Sequence, residues 1–140
     1  MTTARTTWSG VLTGIGVAAF VDETVFHQLL HWHHLWDGST ATAGLVSDGV
    51  FHAVGWLSVV GGLVLLADLR RRGRPVGVRW WGAVLTGWGG FQLYDGLVQH
   101  LVLGLHQIRY GVDLAPYTWT WDSAGGAALV VGVVLLRRAR

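Results

Sequence analysis

The run GIGVAAFVDETVFHQLLHWHH, Gly14 to His34, decides how this chain folds. It opens wholly apolar, and then Asp22, Glu23 and a cluster of histidines interrupt it. Traced back to Trp8, the segment is long enough to cross a bilayer, which takes about 20 residues as a helix. Three more segments match it in length: Leu45–Leu69, Trp80–His106 and Thr118–Leu136. Hydrophobic residues make up 51% of the 140 and charged residues 13%, with nine tryptophans and 21 glycines. That balance reads as a polytopic membrane protein. Each span is expected to be helical, because lipid offers the backbone no hydrogen-bond partners. The start MTTARTTWSG shows no cleavable signal and leads into what reads as a retained first span.

The same run recurs. Gly14, Gly16, Asp22, His27 and His33 match Gly87, Gly89, Asp95, His100 and His106 at one constant offset, and Asp48 matches Asp122 with a one-residue slip. The expected fold is therefore all-α: an integral membrane four-helix bundle in a single domain, 1–140. It is built from two tandem helical-hairpin repeats, 8–72 and 79–138. Two spans per repeat give both halves one orientation, so the implied pseudo-two-fold axis runs along the membrane normal. The first and third helices should face each other across it. The halves differ, since Glu23 matches Gly96, His31 matches Gly104, His34 matches Gln107, and His52 falls against Gly125-Gly126.

Arginine placement sets the orientation. Arg5, Arg70, Arg71, Arg72, Arg74, Arg79, Arg137, Arg138 and Arg140 fall at one set of ends, and Arg109 alone at the other. By the positive-inside rule both termini are cytoplasmic and the histidine-rich ends face outward. The sequence pI of about 9.7 needs no nucleic-acid partner, because topology explains the arginines. Without cysteine, disulfides, thiolate sites, iron–sulfur clusters and covalent haem are excluded. With only Met1, so is methionine-rich Cu(I) binding.

At about 100° per residue, Glu23, His27, His31 and His34 share one stripe, and Asp22 and His33 lie on the next. Asp48 and His52 share a face of the second span, and the third offers Asp95, His100 and His106. An ionised residue at the bilayer centre costs about 2.5–3.5 kcal/mol. Asp22, Glu23 and Asp95 therefore call for protonation, an imidazole partner or a cation. A divalent ion ligated by neutral histidines answers that need most directly. His33, His34 and His106 also suit an ordinary wet interface, and Gln28, Gln92 and Gln99 suit interhelical hydrogen bonds. Glycine rows such as Gly82–Thr86–Gly90 serve close packing or a homo-oligomer face equally well.

The pattern Gly14-x-Gly16 through Asp22, then Phe26-His27-Gln28-x-Leu30-x-Trp32-His33-His34, with Asp48-x-x-x-His52 and Asp95/His100, resembles a bacterial membrane family, domain of unknown function family 2243. The likeness covers nearly the whole chain. It implies a small four-span plasma-membrane protein beside copper-handling and respiratory-chain partners. His27-x-x-x-His31 and His31-x-His33-His34 are similar to the histidine boxes of membrane desaturases and hydroxylases, which are larger and carry theirs on the cytoplasmic side. An Asp/His/His site between helices also resembles the copper region of membrane-bound methane and ammonia monooxygenases, with different spacing.

The leading expectation is thus a transition-metal site in the outer half of the bundle, serving redox or oxygen chemistry or metal handling. His27, His31 and His52 with Glu23 or Asp48 are the first choice of ligands. Asp95 and His100 complete it, and Asp22, His33, His34 and His106 lie close by. Copper is favoured, with zinc, iron or a di-metal centre such as di-iron as alternatives, and a metal-dependent membrane oxidoreductase is one form this could take. A second class is a b-haem electron-transfer subunit ligated by His27 and His100. A third is proton or cation conduction through Asp22 and Asp95, which the apolar inner half of the first span opposes.

Overall fold

The computed structural model describes residues 2–74 and 76–139; Pro75 lies outside them, as do Met1 and Arg140, which figured above. Four α-helices follow in order: α1 (Thr2–Asp22), α2 (Ala41–Arg71), α3 (Gly77–Leu93) and α4 (Ala115–Arg138), with no strand among the described residues. Two of them do not stop where their α-helical bonding stops. α1 runs on into a π-helical segment, Glu23–Leu29, and α3 into another, Tyr94–Val102. Thr40 opens α2 by accepting the Ala43 amide at 3.2 Å, and Pro116 sits in the first turn of α4.

Helices α1 and α3 form the central pair, with α2 flanking α1 and α4 flanking α3. Their approach is backbone to backbone. A Cβ on Gly14 would run into the Val84 carbonyl, and one on Gly87 would run into the Val11 carbonyl. Gly16 lies against Gly55 and Val59 much as Gly89 lies against Gly125 and Leu129. In that register Asp122 stands level with His52, whereas residue likeness had paired it with Asp48. Packing of small residues, rather than chemical resemblance, sets how the outer helices align.

Ser9, fully buried, joins three helices: its hydroxyl donates to Gly62 O at 2.7 Å and accepts from Trp80 Nε1 at 3.1 Å. Removing that hydroxyl leaves the buried Trp80 indole N–H unpaired and takes an interhelical donor from the Gly62 carbonyl, at about 1–3 kcal/mol. Ser9→Ala should therefore lower the thermal midpoint of the detergent-solubilised protein. A midpoint equal to wild type would show that the junction does not hold the bundle together.

Three helical segments, Thr3–Leu29, Ala41–Arg71 and Ala115–Arg138, are long and apolar enough to cross a membrane. The α3 segment, expected as a fourth span, is not among them. Its many Gly and Trp residues, with Gln92, Asp95, Gln99 and His100, lower its hydropathy. It is also a member of the central pair, so less of it needs to be apolar. The flanking helices instead present broad apolar faces, with Leu45, Val46, Val50, Leu57 and Val64 exposed on α2 and Trp119, Val130 and Val131 on α4. At one end of the bundle Arg5 and Arg72 reach Asp68 at 3.3 and 2.9 Å, and Arg79 donates to Ala139 O at 2.6 Å.

Candidate metal centre

The π segments create the site. Bonding five residues back widens the turn, so residues four and five apart come to share a face. His27 Nδ1 thus lies 3.0 Å from Glu23 Oε2, and His27 Nε2 lies 3.9 Å from Asp22 Oδ2. In the second segment His100 Nε2 lies 3.2 Å from Asp95 Oδ2. Gln28 donates to Glu23 Oε1 at 2.7 Å and Gln99 to Asp95 Oδ1 at 2.9 Å, so both glutamines serve their own helix. Gln92 bridges helices instead, donating to Trp121 O at 2.9 Å.

Each π segment closes in the same way. Leu30 N donates to Val25 O at 2.9 Å, and Leu103 N to Val98 O at 2.8 Å. Trp32 N donates to Phe26 O at 2.9 Å, and Leu105 N to Gln99 O at 3.0 Å. The chain then reverses through a left-handed residue, His31 (φ 50) in one case and Gly104 (φ 57) in the other. That reversal leaves His31 exposed and carries His33 and His106 inward, where each is buried.

The two inward histidines are aimed by each other's hairpin. His33 Nδ1 donates to Ile108 O at 2.9 Å, and His106 Nδ1 donates to Leu35 O at 2.9 Å. A carbonyl can only accept, so Nδ1 carries the proton on both rings and the Nε2 lone pairs point into the cluster. The rings stack with centroids 4.4 Å apart. His100 Nε2 stands 2.8 Å from His106 Nε2, and Asp95 Oδ1 stands 4.0 Å from that same atom.

Asp48 holds the first half together. It accepts from His27 Nδ1 at 2.9 Å, from His34 Nδ1 at 2.6 Å and from Leu35 N at 2.7 Å. It thereby fixes both the His27 ring and the residue whose carbonyl orients His106. A carboxylate behind an imidazole is the usual second partner of a metal-ligating histidine.

Three groups have ligand atoms close enough to hold a metal ion: His33/His100/His106, Asp22/His27/His33 and Glu23/His27/Asp48. Of the residues expected in the site, His31, His34, His52 and Asp95 belong to none of these groups, although Asp95 Oδ2 stands 3.2 Å from His100 Nε2. His52 is half-buried against the Phe20 ring, with centroids 5.5 Å apart. His34 reaches the centre only through Asp48. Two orienting groups, the carbonyls of Leu35 and Ile108, have no side-chain signature. The sequence marks them only by the same separation along the chain as Val25 and Val98. Asp122 was noted only for its place in the repeat, yet its Oδ1 is buried without a hydrogen-bond partner beside Gly96.

An all-helical chain with three helices of membrane-crossing length, enclosing a buried His/Asp cluster, defines a helical membrane protein with the donors for a metal ion. The chain belongs to the DUF2243 family, described as predicted membrane proteins, which matches residues 9–139. No curated protein and no solved structure matches it.

Proposed function

We propose that the protein is a four-span metalloprotein of the bacterial plasma membrane, holding a transition metal between two duplicated helical hairpins. The first hairpin supplies Asp22, His27 and His33, and the second supplies Asp95, His100 and His106 at matching positions. The observation that carries this reading is the state of two buried rings. His27 and His33, 1% and 5% exposed, each have Nδ1 hydrogen-bonded and Nε2 without any hydrogen-bond partner. A buried nitrogen lone pair left open in this way costs about 1–3 kcal/mol unless something fills it. Asp22 and Asp95, 3% and 1% exposed, have no arginine partner among the described residues, so a cation would also balance their charge.

Nitrogen and carboxylate donors without sulfur suit Cu(II), Zn(II) and Fe(II), and copper stands highest in the usual affinity order. The arginines gathered at the opposite end of the bundle support a cytoplasmic placement of both termini and an outward centre. Redox or oxygen chemistry, or the holding of metal for another membrane protein, are the roles such a centre serves. The histidine rings form one packed cluster, which suits a small ion better than a porphyrin between His27 and His100.

Purified in detergent without added metal, the protein is expected to carry at least one equivalent of copper, zinc or iron by elemental analysis. Less than one equivalent of every transition metal, with no uptake on add-back, would overturn the proposal.

A further inference from the structure

We propose that the centre holds two ions, one for each Asp/His/His set. This rests on the metal reading above and deepens it. The case begins with His33, whose Nε2 lies within reach of both His100/His106 and Asp22/His27. Its Nδ1 is committed to Ile108 O, so it has one lone pair to give and serves one ion at a time. If a single ion took His33, His100 and His106 with Asp95, four donors would close its coordination. His27 Nε2 would then remain buried, unpartnered and 3.9 Å from Asp22 Oδ2. A second ion at Asp22, His27 and His33 uses both orphaned nitrogens and one of the two carboxylates that lack an arginine partner among the described residues. Asp95, His100 and His106 keep the other ion.

Two consequences distinguish this arrangement from a closed four-ligand site. Each ion has three protein ligands, which leaves a position on each for a small exogenous ligand, as in metal sites that react rather than only support a fold. A cavity of about 210 Å³ lined by His31, Trp32, His33, His34, Asp37 and Tyr110 gives that position a route from the loop end. The two ions are also held unequally. His27 is backed by Asp48 and Glu23, whereas Gly96 stands where a second Glu23 would be. A carboxylate-backed imidazole is the better donor, so the first-hairpin ion binds more tightly and loading proceeds in two steps.

The metal-free protein, titrated with Cu(II) by equilibrium dialysis, should take up two equivalents in two phases. At the second equivalent the paramagnetic spin count should fall below two per chain as the copper ions couple. His27→Ala and His100→Ala should each bind one equivalent and give an uncoupled signal. Wild-type uptake of one equivalent would overturn the pair of ions while leaving the metal proposal standing. Zero uptake of copper and of zinc would overturn both. If either variant fails to fold, the wild-type stoichiometry and spin count decide alone.

Discussion

His106→Ala is expected to weaken binding of the proposed second-hairpin ion by more than ~100-fold, beyond the ~10–100-fold typical when only a partner of a ligand is lost. The ring is 3% exposed, its Nε2 lies 2.8 Å from that of His100, and its Nδ1 is tied to Leu35 O. Alanine removes a donor and also the bond by which the first loop fastens to the second. His31→Ala is the matched control: His31 is exposed and turned outward by its left-handed backbone, so binding should stay within about twofold of wild type. Competition against a chromophoric chelator measures both. If His31→Ala loses the metal and His106→Ala keeps it, the ligands have been misassigned.

Gly14→Leu should have the largest effect on folding. Its Cβ would occupy the space of the Val84 carbonyl, and neither backbone can move without separating the central helix pair. Overpacked substitutions typically cost about 1–3 kcal/mol, and here the contact is with main chain rather than with a side chain that can turn away. The variant should fail to give monodisperse protein in detergent, or unfold far below wild type. Gly90→Ala, on the same central pair but with open space around its Cβ, should instead be neutral or stabilising by about 0.5–1 kcal/mol. Equal thermal midpoints for Gly14→Leu and wild type would mean that α1 and α3 do not meet there.

Much of this architecture could be read from residues. Apolar length marked α1, α2 and α4, and the recurrence of Gly14, Gly16, Asp22, His27 and His33 pointed to the pairing of α1 with α3. Reading His27 to His34 as one continuous helix went astray because a 100° step per residue assumes α-helical bonding throughout. The chain instead widens at Glu23 and unwinds at Leu30, so His31 leaves the stripe and His33 enters the centre. Nothing in side-chain chemistry marks that change, although His31 standing where the other half has Gly104 was a trace of it. The orienting carbonyls were illegible for a simpler reason: every residue has one, and only the fold decides which is within reach.

The exchange of hydrogen bonds between His33 and Ile108 and between His106 and Leu35 bears on biogenesis. A newly inserted first hairpin contains three donors of the centre, but the carbonyl that aims His33 has not yet been synthesised. The second hairpin alone has the mirror deficit. The full histidine cluster is therefore aligned only once the last loop has docked, although Glu23, His27 and Asp48 already stand together within the first hairpin. The crossed loops thus make the finished geometry of the cluster a sign that both hairpins have been inserted and joined.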